Sequence, residues 1–162
     1  MRFVAAFILL LSVSASASAR DPLGVFGEWG AFRDPKPLHC FAIAEPELRR
    51  SESGWRPFAS IASWPAKNVR GQLHIRLRKN RRPDSPVVLI VGEDRFNLVA
   101  GTADAWAPDM RTDATIVRAM RSAEAMRVVA RSDKGAAFSD SYPLRGAATA
   151  IDAATVACAR RR

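Results

Sequence analysis

Residue types that carry catalysis or bind metals are scarce in this sequence. It has only two cysteines and two histidines among 162 residues, and 25 lysines and arginines outnumber 16 acidic residues. His39 and His74 are too far apart to form the helical pair typical of catalytic zinc. The chain has no G-x-S-x-G nucleophile motif and no glycine-rich phosphate loop. We therefore predict a non-enzymatic protein with no metal, no cofactor and no catalytic residues.

Long apolar runs are absent after the first 19 residues. Arg2 is followed by a short apolar core over residues 3–13, and Ala17-Ser18-Ala19 is a small-x-small cleavage site. An uncleaved anchor helix is the alternative, but this core is shorter than the ~20 residues of a membrane span. We predict a signal peptide over residues 1–19 and a single exported domain over residues 20–162, with no membrane span after cleavage. The expected location is the periplasm, the outer membrane or the exterior.

The net charge of +9 at pH 7 bears on the partners of the chain. A basic surface favours anionic partners, here an envelope glycolipid, an acidic lipid or an acidic polysaccharide. We expect no specific recognition of nucleic acid. The alternative is that the charge serves solubility alone, and the composition does not decide between the two.

The two cysteines, Cys40 and Cys158, lie near the two ends of the predicted exported domain. In an oxidising compartment such a pair predicts a disulfide. Ala147, Ile151, Ala154 and Cys158 share one face of a predicted C-terminal helix, so Cys158 is expected to face the sheet that carries Cys40. Two free thiols or an intermolecular bridge are the alternatives.

Hydrophobic periodicity predicts many short strands and two helices. The clearest strand covers residues 72–78, where apolar residues alternate with His74, Arg76 and Arg78. Further strands are predicted at 29–32, 38–44, 58–64, 87–91, 95–100, 126–130 and from 138, and helices at 109–121 and 146–159. Regular strand–helix alternation is absent. The pattern predicts a mainly β fold, an antiparallel β-sandwich or partly open barrel with two short helices, one of them C-terminal.

Four segments follow one another in a characteristic order. They are Trp29 with Cys40, the hairpin of residues 87–98, Asp104-Ala105-Trp106-Ala107 before a helix, and residues 140–146 before an alanine-rich helix that ends at Cys158. In this order and spacing, residues 29–158 resemble the invasion-associated locus B family of exported bacterial proteins, as a short and divergent member. The resemblance implies an exported β-sandwich-like domain, without known chemistry, that acts in the cell envelope.

One stretch concentrates the positive charge, and we call its seven members the basic band: Arg70, His74, Arg76, Arg78, Lys79, Arg81 and Arg82. We predict that the basic band binds phosphate or carboxylate groups of envelope material, with an affinity that falls as salt rises. Trp55, in a polar loop, is the best candidate for an additional contact residue, because an indole ring can stack on a sugar. The alternative is a charged edge strand protected against aggregation.

Two other functions remain open. One is a structural or stabilising component of the envelope that has no ligand. The other is a weak hydrolase, because Asp104, Asp109 and Asp113 lie near Trp106 in sequence and could supply a glycosidase-like carboxylate pair. Acidic residues at a helix N-terminus are the better explanation of this cluster, since they stabilise the helix dipole.

Overall fold

The computed structural model describes residues 20–47 and 55–159, so the predicted signal peptide lies outside the described residues. Ten strands and two α-helices occur in these ranges. The strands are β1 Asp21–Phe26, β2 Trp29–Pro35, β3 Leu38–Ala44, β4 Phe58–Trp64, β5 Val69–Arg76, β6 Val87–Val91, β7 Asp94–Ala100, β8 Asp104–Trp106, β9 Ala125–Arg131 and β10 Ala137–Pro143. The helices are α1 Met110–Met120 and α2 Ala147–Ala159, and a 3-10 turn spans Pro65–Lys67.

All ten strands form one antiparallel sheet, in the order β1-β2-β3-β4-β5-β8-β7-β6-β9-β10. The pairing is open, yet the two margins of the sheet approach each other. The indole Nε1 of Trp29 in β2 donates to the carbonyl of Pro143 at the end of β10, at 2.9 Å, and the Glu28 N–H donates to the Arg145 carbonyl at 3.2 Å. The predicted mainly β, antiparallel fold with two helices, one C-terminal, is confirmed as an open sheet that curls around one core.

The core lies between the inner face of the sheet and the two helices. Strand alternation directs every second side chain inward, and Trp29, Leu73 and Leu89 are fully buried there. Helix α2 packs against β1–β4 and α1 against β5, and Ile116 and Met120 of α1 join the same apolar cluster. Because the helices cover the inner face, the outward side chains of the strands form a separate, outer face of the sheet.

Three strands differ from the sequence prediction: β5 is shifted, and β1 and β8 were not predicted. Strand β5 begins at Val69 and ends at Arg76, earlier than the predicted 72–78, and the next residue, Leu77, donates its N–H to the Ala103 carbonyl instead. Strand β1 was not predicted because it contains Pro22 and Gly24, which disfavour strands. Its position at the margin of the sheet, with a register shift between these two residues, accommodates both.

Cys40 of β3 and Cys158 of α2 form the predicted disulfide, with their Cα atoms 5.8 Å apart. The bond attaches the last helix to an early strand and, with Ala154, forms a small apolar cluster of its own. A disulfide is typical of a protein that folds in an oxidising compartment outside the cytoplasm.

No helix within the described ranges has the length and apolar character needed to cross a bilayer.

Candidate anion-binding surface

The structure distributes the basic band over three places. Arg70 lies near the start of β5, and it is exposed. His74 and Arg76 lie on the outer face of β5, opposite the inward-facing Leu73 and Ile75. The other four residues belong to the segment that connects β5 to β6. The basic band is therefore divided into three parts, and the parts differ in the hydrogen-bond and ion-pair partners of their side chains.

Arg78 is neutralised inside the protein. Its Nε atom lies 2.7 Å from Oδ1 of Asp140, a fully buried carboxyl group on β10, and its backbone N–H donates to Oδ2 at 3.3 Å. The guanidinium also lies over the ring of Phe138. Burial raises the pKa of Asp140, while Arg78 and, to a smaller degree, Lys79 oppose that rise. The Arg78 charge therefore compensates a buried acid.

Arg81 holds the connecting segment in place. Its guanidinium donates to four carbonyl oxygens, those of Gly101 at 2.7 Å, Ala100 at 2.8 Å, Ser85 at 3.0 Å and Arg82 at 3.1 Å. These bonds tie the β5–β6 segment to the end of β7 and use most of the donors of the group. The neighbouring Arg82 is exposed and makes no ion pair within the described residues. Of these two, only Arg82 presents a solvated cation.

His74 and Arg76 converge on one carboxylate. Nε2 of His74 lies 2.8 Å from Oδ1 of Asp104 on β8, and Nη1 of Arg76 donates to Oδ2 of the same group. The His74 ring stacks on Trp106 with centroids 5.2 Å apart, and Phe58 meets it edge-on at 5.0 Å. The structure therefore brings two residues of the basic band into an aromatic setting.

Trp55 contributes to the same setting. The Arg76 guanidinium lies over its ring, 5.0 Å from the centroid, and the indole Nε1 donates to the Leu77 carbonyl at 2.8 Å. A guanidinium above an indole ring is held by cation–π attraction and still has N–H groups for hydrogen bonds. Trp55, the predicted contact residue, and Arg76 of the basic band are therefore adjacent.

A second aromatic group extends this surface over β2, β3 and β4. His39 is stacked between Trp64 and Phe41, with centroids 4.3 Å and 4.7 Å away, and Phe41 stacks on Phe32 at 5.6 Å. Above Phe41, 4.9 Å from its centroid, lies the guanidinium of Arg20. We call the outward-facing rings of both groups the aromatic face: Phe32, His39, Phe41, Phe58, Trp64, His74, Trp106 and Trp55.

Charge on this second group is partly compensated. Arg20 Nε donates to Oδ1 of Asp34 at 2.9 Å, and this bond holds the pKa of the carboxyl below its ordinary value. Burial lowers the pKa of His39, and the neighbouring Asp34 opposes that shift in part. Two hollows of about 860 and 390 Å³ adjoin the aromatic face, and Arg20 lines both.

Sequence reasoning missed this second group. The strand at 38–44 is apolar on both faces, a pattern typical of a buried strand, whereas its outward His39 remains partly exposed. The sequence pattern that could have indicated this group is the alternation of rings and alanines in the strand: the rings of His39 and Phe41 lie on one face, and Ala42 and Ala44 lie on the other. Because an alanine side chain is small, it does not show which face of a strand is buried unless the element that packs against that face is known.

Each aspartate of the hydrolase hypothesis has a structural partner. Asp104 binds His74 and Arg76, while Asp109 caps α1 by accepting the Thr112 N–H at 2.7 Å, which lowers its pKa. Asp113 is buried, which raises its pKa, and it accepts the Leu73 N–H at 2.8 Å. Within the described ranges, no three His, Cys, Asp or Glu side chains gather as a metal site.

The segments of the family resemblance occupy β2, β3, the β6–β7 hairpin, β8, α1, β10 and α2. No protein-family model, no curated protein and no solved structure matches this chain. The membership in the invasion-associated locus B family therefore stays a prediction that depends on those segments alone.

Proposed function

We propose that this chain is a non-enzymatic exported protein of the cell envelope, of the invasion-associated locus B type, that binds an acidic saccharide on its aromatic face. The saccharide belongs to an acidic polysaccharide or to the headgroup of an anionic glycolipid. The observation that carries the proposal is the position of Arg76, over the ring of Trp55 and beside His74, on an outward sheet face.

The chemistry of this group suits a sugar that carries a carboxylate or phosphate. Arg76 uses Nη1 for Asp104, and its side chain is 34% exposed, so guanidinium N–H groups remain for a second anion. Guanidinium forks bind carboxylate and phosphate in two-point geometry, and aromatic rings pack against the apolar faces of sugars. Asp104 and Trp55 hold the fork in position before the ligand arrives, which reduces the entropy cost of binding.

Long-range electrostatics support an anionic ligand. Of the charged residues behind the net charge of +9, only Arg2 lies in the predicted signal peptide, so the exported chain stays basic and raises the local concentration of anions around it. Arg70 and Arg82 add exposed positive charge beyond the aromatic face. The exported location is supported by the disulfide and by the predicted signal peptide.

The test is binding of the oxidised chain 20–162 to alginate, with neutral dextran as the uncharged probe, at low and high salt. We expect binding to alginate that weakens with salt, and Arg76→Gln to lower the affinity at least about tenfold, because one charge-assisted contact contributes ~1.5–3 kcal/mol. Arg95→Gln is the matched control, since Arg95 is an exposed cation on β7, outside the aromatic face. Arg78 and Arg81 stay unchanged because both hold the fold together.

Two outcomes would count against the proposal. If Arg95→Gln weakens binding as much as Arg76→Gln, alginate binding depends on the net charge alone, and the aromatic face is not a saccharide-binding site. If neither alginate nor purified envelope glycolipid binds at low salt, the chain is better described as a structural envelope component, the function favoured by the internal partners of Arg78 and Arg81.

A further inference from the structure

A groove of about 660 Å³ lies where the start of β5 meets the two helices. It is separate from the aromatic face, because helix residues form one of its walls. Its lining includes Val69 and Arg70 of β5, Val117 and Arg121 of α1, and Ile151 and Cys158 of α2. Its volume falls within the ~300–1,000 Å³ typical of ligand sites.

The floor of the groove is apolar. Ile151 and Cys158 are nearly fully buried, and Val69 and Val117 are half-buried. Gly71 also borders the groove, and a Cβ atom at this position would lie 3.9 Å from a methyl group of Val117. The positive φ of 64° at Gly71 favours glycine, so this wall carries no side chain that would narrow the groove.

The rim of the groove is cationic. Arg70 is exposed and makes no ion pair with any described residue. Arg121 is held by Asp152, with Nη2 2.6 Å from Oδ1 and Nη1 3.2 Å from Oδ2, and its side chain stays 41% exposed. Neither aspartate nor glutamate is present among the described residues that line the groove. A ligand that matches this site has an apolar chain and an anionic head.

We propose that the groove binds a single-chain fatty acid, with its carboxylate at Arg70 and its acyl chain along Val69, Val117 and Ile151. Charge complementarity at the rim selects the anionic head, and burial of apolar area in the groove stabilises the acyl chain. This site and ligand differ from those of the proposed function, so neither depends on the other.

The experiment measures the fluorescence of cis-parinaric acid, a fatty-acid probe, on titration into oxidised chain 20–162, with palmitate as competitor. Arg70→Gln is expected to weaken binding about tenfold, the loss of one charge-assisted contact. Ala114→Phe is expected to abolish binding, because Ala114 is exposed on α1 and lines the groove, so a larger side chain there fills it. Methyl palmitate is expected to compete less well than palmitate.

Controls separate this site from general charge and from the aromatic face. Arg118→Gln removes an equal charge from α1 at a residue that does not line the groove, and Arg76→Gln alters the aromatic face; both are expected to leave parinarate binding unchanged. Circular dichroism and retention of the disulfide show that each variant is folded.

The proposal is overturned if Arg118→Gln weakens binding as much as Arg70→Gln, or if folded Ala114→Phe binds parinarate normally. It is also overturned if palmitate fails to compete while vesicles of anionic phospholipid bind the protein, since that result assigns the groove to a membrane surface. Alginate binding does not enter these outcomes, so this proposal and the proposed function can fail separately.

Discussion

Individual residues on β10 carry polar groups into the core. Phe138, Asp140 and Tyr142 share the inward face of this strand because side chains alternate every two residues. Asp140 is compensated by Arg78, whereas the hydroxyl of Tyr142 is buried without a hydrogen-bond partner among the described residues. Burial and, to a smaller degree, the charge of Asp140 raise the pKa of Tyr142 well above its ordinary value.

This raised pKa predicts a loss of stability in alkali. Above pH ~10 the unfolded chain releases the phenolic proton while the folded chain retains it, so the free energy of unfolding falls by up to ~1.4 kcal/mol per pH unit. The protonated Tyr142 hydroxyl therefore makes its full contribution to the free energy of unfolding below pH ~10, and this contribution declines as the pH rises above that value. The chain has one tyrosine, so absorbance at 295 nm reports this group alone.

We expect tyrosinate absorbance to appear together with unfolding, as measured by circular dichroism in the same alkaline titration. Tyr142→Phe serves as the control, because it keeps the ring and removes the ionisable hydroxyl, and its alkaline transition should move to higher pH. Ionisation at pH ~10 in the fully folded protein would contradict this expectation.

Secondary-structure elements are joined by a few decisive contacts. Helix α2 is rich in alanine, and its buried Ala147, Ala150 and Ala154 allow the helix to lie close to β1–β4. Alanine buries little apolar area, so packing alone holds this helix less strongly than a leucine-rich surface would. The Cys40–Cys158 disulfide adds a covalent link near the end of the same helix.

Replacing both cysteines by serine is expected to destabilise the fold strongly. The bond joins residues 118 apart, and closing such a loop contributes up to ~4–5 kcal/mol in the chain-entropy model. Urea unfolding of the oxidised wild type and of Cys40→Ser/Cys158→Ser measures the difference. A reductant should reproduce the loss in the wild type and leave the variant unchanged; equal midpoints for the two oxidised proteins would show that the link is dispensable.

The whole molecule combines a curled open sheet, two helices on its inner face and an outer face rich in aromatic rings. Arg20, the first residue after the predicted cleavage site, belongs to that outer face through Phe41 and Asp34. Cleavage after Ala19 would therefore place the new α-amino group at the residue that lines both hollows.

Export is expected to produce a chain that begins at Arg20. Expression of the full sequence in a Gram-negative host, followed by osmotic release of the periplasm and intact-mass measurement, checks this. Ala19→Arg is the control, because a large charged residue at the cleavage site should block processing and retain the precursor. Recovery of wild-type protein in the cytoplasm at its full 162-residue mass would contradict the predicted signal peptide.

Local periodicity determined much of the fold. The alternation around residues 72–78 located β5 to within a few residues, and helical spacing over residues 109–121 located α1. The face of α2 that carries Cys158 indicated its bond to Cys40, because helix geometry places residues three and four apart on one side. These features depend on near neighbours, and a single sequence displays them directly.

Tertiary structure alone decided which charges face solvent. Arg76 and Arg78 have the same local pattern, yet Arg76 binds Asp104, 28 residues away, and Arg78 binds the buried Asp140, 62 residues away. The four carbonyls around Arg81 come together only when β7 and the β5–β6 segment meet. The partners of an arginine side chain come from segments that are distant in sequence and are joined by strand pairing, so the residues next to the arginine do not indicate them.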